Sequence, residues 1–193
     1  MGDRHLEHPP SSDGGAGEPR IALVHDWLTG MRGGEKCLEV LCRRFPGATL
    51  HTLLHQRGSA SPAIEALRIQ TSPLQKIPGI AQHYRGFLPL MPWAATTWDV
   101  GDVDLVVSFS HCVAKAVRVP AGVPHICYCF TPMRYAWDGR SAYLHRWERR
   151  PIRRMMAARL LDQLQQWDRA TASGVTQFVA ISLFLAFTCI FFA

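Results

Sequence analysis

RIALVHDWLTGMRGGEKCLEVLCRRF, residues 20–45, reads as a buried strand, a glycine-rich turn and a helix. Ile21, Ala22, Leu23 and Val24 form an unbroken apolar run, Gly30, Gly33 and Gly34 follow, and Cys37, Leu38, Leu41 and Phe45 then recur at helical spacing. A strand led through glycines into a helix makes an anion site. Glycine lets the backbone approach a ligand, and the unpaired N–H groups opening a helix, aided by its dipole, favour phosphate or carboxylate. The order predicts an α/β protein that handles a phosphorylated or otherwise anionic small molecule. The same glycines also suit a plain tight strand-to-helix turn.

The spacing separates this turn from the two common phosphate motifs. Glycines at 30, 33 and 34 do not fit G-x-G-x-x-G, and no Gly-Lys-Ser/Thr occurs. The second strand, near Ala48 to Leu54, runs into His55, Gln56 and Arg57 and offers no acid for a ribose hydroxyl, which argues against a nicotinamide enzyme.

The 193 residues, 48% hydrophobic and 19% charged, describe one globular domain large enough to bury a core. The net charge of +6 is concentrated at Arg146, Arg149, Arg150, Arg153 and Arg154, a cluster suited to phosphates on nucleic acid or on an anionic membrane. No helix-turn-helix, zinc-finger or RNA-recognition signature is present, so nucleic acid is the weaker of the two. Six cysteines without a C-x-x-C read as small buried hydrophobes in a reducing compartment, and no metal site is expected.

Residues 1–19 are polar and rich in Pro, Gly and Ser, which predicts a disordered leader and no secretion signal. Beyond the first strand and helix the pattern continues with a strand near 48–54, a short helix at 62–67 and a strand at 68–71. From Pro73 to Trp98 prolines break any long helix among four aromatics, making either a binding wall or ordinary core. DLVVSFS (104–110) and PHICYCF (124–130) are apolar without alternation, as strands buried on both faces of a parallel sheet are. Ligands of such sheets lie at the carboxyl ends of the strands, which would gather the glycine loop, Ser110 with His111, and Thr131 to Asp138 on one edge. Pro151 to Ala172 is the longest helix, with Ile152, Met155, Met156, Leu160, Leu164 and Trp167 expected as its apolar stripe. Its basic start opposes the helix dipole, and the span 146–159 is either a solvated face or a peripheral membrane contact.

VHDWLTGMRGGEK (24–36), SFSHCVAKAV (108–117), HICYCFTPMRYAWD (125–138) and QFVAIS (177–182), in this order, resemble the amino-terminal half of glycosyltransferase family 4, nearest to bacterial mannosyl- and related transferases of cell-surface polysaccharides. The likeness covers residues 20–182. It implies a Rossmann-like acceptor-side lobe of a two-lobed GT-B enzyme. Such enzymes transfer a hexose from a nucleotide sugar to a glycan or lipid-linked acceptor with retention, in the cytoplasm or at the inner membrane face. No metal or other cofactor is implied, since the nucleotide sugar is a substrate. Carried over, Gly33, Gly34 and Glu35 would face the donor diphosphate and His111 and Lys115 would be catalytic, with Asp26, Thr131, Arg134 and Tyr135 lining the cleft. Backbone donors, Lys and Arg are suited to the charge that grows on a departing diphosphate.

Each has a plainer alternative: His111 as a cap of its own turn, Arg134 as a structural partner of Asp138 or of a carbonyl, Glu35 as a first-turn acid. Two departures stand out. Phe130 precedes Thr131 where many family members have a histidine, and no glutamate pair has the Glu-x7-Glu spacing that the family's carboxy-terminal lobe supplies. The closing LFLAFTCIFFA (183–193) departs from the family pattern, as a truncated or frame-shifted end would. Together with 175–182 it makes nineteen uncharged residues, close to a membrane anchor, although a core strand already claims part of them. The expectation is a lobe that is inactive alone, or one that serves as a binding module or is completed in trans.

Overall fold

A computed structural model describes residues 18–181; the expectations for the leader and for the 183–193 tail lie outside them. The elements in chain order are β1 (Ile21–His25), α1 (Gly33–Arg44), β2 (Thr49–Thr52), α2 (Pro62–Glu65), β3 (Arg68–Thr71), α3 (Ile80–His83), α4 (Met91–Ala95), β4 (Leu105–Ser110), β5 (His125–Cys129), α5 (Arg140–His145), α6 (Pro151–Ala172) and β6 (Gln177–Ala180). Short 3-10 turns at Pro73–Lys76, Tyr84–Leu90 and Ala114–Ala116 fill the joints.

All six strands pair in parallel in the order β3-β2-β1-β4-β5-β6, a Rossmann-like α/β sheet flanked by helices. The run of neighbours reverses direction between β1 and β4, the point at which open α/β sheets leave a crevice at their carboxyl edge. Strands β1 and β4 are buried on both faces as their lack of alternation requires, whereas β5 alternates, with Ile126 and Tyr128 only half-buried. Ile21 and Leu23 pack with Leu38 and Cys42 of α1 and Ile64 of α2 on one face, while Ala22 and Val24 pack with Met91, Trp98, Leu161 and Leu164 on the other. The aromatic 73–98 segment is largely core, with Tyr84, Leu88 and Trp98 buried and Trp93 left exposed.

Helix α6 departs from its expected stripe. Leu161, Leu164, Asp168 and Ala172 are buried, whereas Ile152, Met155 and Met156 are 70%, 52% and 64% exposed. At about 100° per residue, positions 160, 164 and 167 lie roughly 60–120° around the helix from 152, so the six apolar residues never formed one face. Length adds to this. At about 1.5 Å per helical and 3.3 Å per strand residue, the 22 residues of α6 are roughly twice as long as the five of β5. The carboxy-terminal end of α6 is held at the amino edge, where Gly174 O faces His125 Nδ1 at 3.3 Å and Thr176 N donates to His125 O. Its first turns therefore overhang the carboxyl edge.

Candidate functional site

Asp26, first residue past β1, is fully buried at the reversal point. Its Oδ2 accepts the N–H groups of His111 and Cys112 at 2.7 and 3.0 Å, and its Oδ1 those of Val113 and Ala114 at 2.6 and 2.8 Å. The turn after β4 thus forms an anion cradle that the protein fills with its own carboxylate. His111 Nδ1 lies 3.0 Å from the same Oδ2, leaving Nε2 on the open side of a ring that is 27% exposed. Burial pushes the Asp26 carboxyl up, but the His111 imidazole and N–H outweigh it and hold the acid at about 2. Burial likewise disfavours charge on His111, yet the bonded Asp26 and the more distant Glu35 raise its pKa above the ordinary 6.5 and favour the imidazolium.

The expectation that Asp26 lines the cleft is thereby corrected: it is spent on the cradle and orients His111. The wall around His111 is aromatic. Trp27 meets its ring edge-on at 4.5 Å and touches Tyr84 at 4.9 Å. The Arg85 guanidinium lies 5.7 Å over the Tyr84 ring and stands close to the Tyr135 hydroxyl. Sequence reading missed Trp27, Tyr84 and Arg85 individually, although two of them lie in the segment read as a binding wall.

Opposite this wall, α1 opens with Gly33 and Gly34. Gly33 is exposed, and a Cβ there would meet nothing within 4 Å. A Cβ at Gly34 would come within 3.3 Å of the Phe130 ring and 3.4 Å of the His25 ring, so the helix opening packs closely on the strand ends there. Gly30, at φ +147°, takes a conformation side chains rarely adopt and turns the chain toward the helix. Glu35 is buried and does not face outward with the glycines. Its Oε2 accepts the Arg32 N–H at 3.0 Å, closing the first turn, and its Oε1 is 3.6 Å from His25 Nε2. Burial raises the Glu35 pKa, while His25 and the Arg32 N–H bring it below the usual carboxylate value. His25 itself is fully buried, and among the described residues neither ring nitrogen has a hydrogen-bond partner.

Lys115 is also corrected. Only 6% of it is exposed, and its ammonium donates to Asp168 Oδ1 at 2.5 Å, to Asp168 O at 2.7 Å and to Thr171 Oγ1 at 3.2 Å, pinning α6 to the sheet. Trp137 Nε1 supplies the second oxygen of Asp168 with a donor at 2.9 Å. These three bonds occupy the three donors of the ammonium. Thr131 Oγ1 turns to its neighbour's Pro132 O at 2.8 Å, Arg134 is exposed, and Tyr135 is half-buried. The structure therefore gathers Gly33, His111 and Tyr135 about the crevice and takes Asp26, Glu35 and Lys115 into its supports. Among the described residues no group of three or more His, Cys, Asp or Glu side chains is arranged to hold a metal ion.

These features define an α/β protein of the doubly wound class, with a histidine–aspartate pair at its topological reversal. No family model, curated protein or solved structure matches the chain.

Proposed function

We propose that this domain is the acceptor-side lobe of a GT-B sugar transferase of the family-4 kind. In the reaction a hexose, mannose or similar, passes from a nucleotide sugar to a hydroxyl of a glycan or lipid-linked acceptor with retention. The C1–O bond to the diphosphate breaks, a C1–O bond to the acceptor forms, and the acceptor's proton leaves on a diphosphate oxygen. The observation that carries this reading is the Asp26–His111 pair, on the same carboxyl edge of the sheet as the exposed Gly33 that opens α1. A held imidazolium donates to a hydroxyl or phosphoryl oxygen, and the α1 opening favours diphosphate charge. Trp27, Tyr84 and Tyr135 supply flat apolar surface of the sort on which sugar rings stack. A second lobe, on this chain or another, is needed to hold the donor, because displacement requires both reactants fixed together.

Titration calorimetry with UDP and GDP, and with inorganic pyrophosphate as the bare anion, tests the reading. Gly33→Asp places an acid where it suits the helix dipole yet repels an anion. Folding should be kept or improved while diphosphate affinity falls by about tenfold or more, which is 1.4 kcal/mol. Unchanged diphosphate affinity in Gly33→Asp, or no binding by the parent chain, overturns the assignment of the α1 opening.

A further inference from the structure

The first turns of α6 do something the crevice does not require. Ile152, Met155 and Met156, at spacing i, i+3, i+4, stand exposed on the overhanging end, on the side away from Leu161 and Leu164. Arg146, Arg149, Arg150, Arg153, Arg154 and Arg159 surround them, all exposed, against the single acid Glu148, which His145 Nδ1 meets at 2.9 Å. Arg153 lies 5.7 Å over the Trp147 ring. Arginines in the first turn oppose the α6 dipole, so the arrangement is stabilised by an outside anion. A groove of about 450 Å³ between α5 and α6, lined by Trp137, Asp138, Arg140, His145, Glu148 and Arg154 among others, adjoins the patch. Arg140 Nη2 is bound to Asp162 at 2.7 Å, while its Nη1 is buried and has no hydrogen-bond partner among the described residues.

We infer that this end of α6 docks on the surface of an anionic bilayer, with Ile152, Met155 and Met156 entering the headgroup boundary and the exposed arginines around them meeting lipid phosphates. Three apolar side chains ringed by six cations match such an interface in both chemistry and charge. Among the described residues no helix is long and apolar enough to cross a membrane. The overhang places the patch at the carboxyl edge, the edge on which His111 opens. The inference rests on α6 alone and holds for any substrate of the crevice.

Co-sedimentation of the full chain with vesicles of phosphatidylcholine, alone or with about 30 mol % phosphatidylglycerol, provides the test. Partitioning should be about tenfold stronger on the anionic vesicles, weaken as salt rises from roughly 0.1 to 0.5 M, and persist against millimolar free phosphate. The double variants Arg153→Glu/Arg154→Glu and Ile152→Asp/Met156→Asp should each lose about tenfold in partitioning with unchanged thermal melting, since all four side chains are exposed. Equal partitioning on neutral and anionic vesicles, displacement by free phosphate, or indifference to both double variants overturns the inference. So does a DNA duplex retained as strongly as the anionic vesicles, which would reassign the arginines to nucleic acid.

Discussion

At the scale of single residues, the same few chemical types serve opposite ends here. His111 is held by Asp26 with its far nitrogen open, whereas Lys115 is buried against Asp168 and closed to substrate. Because the folded pKa of His111 is raised, its contribution to stability is fully present below 6.5 and is lost as pH rises through the folded value. Urea unfolding of the parent and of His111→Ala should therefore show the larger difference at pH 5.5 and a smaller one at pH 9. A difference that grows with pH would contradict the imidazolium. Lys115→Met removes the ammonium from a buried Asp168 carboxylate that keeps its bond from Trp137, and should cost about 3–5 kcal/mol in the same measurement. Adding Asp168→Asn should recover a good part of it. Neither use was legible from sequence. The carboxylate partners lie 85 and 53 residues away, and a lone histidine or lysine carries no local sign of which acid it will meet.

At the scale of elements, sequence was more informative, because strands buried on both faces must be apolar throughout. Leu105–Ser110 and His125–Cys129 fall within their expected runs, Ile21–His25 extends one residue past Val24, and Pro151–Ala172 has the expected ends. What the pattern did not reveal was which part of a long helix finds a neighbour, since that depends on the length of the strands beneath it. The turn into α5 is set more tightly. A Cβ at Gly139 would lie 2.9 Å from the Arg134 carbonyl oxygen, a backbone atom with little room to move. Gly139→Ala should destabilise the protein by about 1–3 kcal/mol and speed amide exchange across 134–145, readable by hydrogen-exchange mass spectrometry. Gly33→Ala, with open space around it, should leave exchange unchanged.

For the molecule as a whole, buried histidines set the acid limit. His51 is 1% exposed, and among the described residues neither of its ring nitrogens has a partner; burial lowers its pKa to about 4. His125 is lowered by burial as well, with Ser108 Oγ 2.8 Å from its Nε2. Each stays neutral in the fold while the unfolded chain takes up a proton near 6.5, so stability falls as pH drops from 6.5 toward 4. Asp26 adds a second loss only between its unperturbed 3.8 and about 2. Calorimetric melting should show Tm dropping by about 5 °C or more from pH 7 to 4.5, with His51→Leu flattening that slope. A Tm independent of pH over this range would show the two rings to be hydrated and titrating freely.

The cradle after β4 has a kinetic consequence. Many phosphate loops settle only when the phosphate arrives, and the ligand then bears the cost of ordering them. Here Asp26 supplies the negative charge from within, so the turn carrying His111 is set before any ligand approaches. For the diphosphate proposed above, no ordering of this turn would then count against affinity, and association would be governed by collision and orientation. Stopped-flow traces of diphosphate binding should then show one phase whose rate rises linearly with ligand concentration.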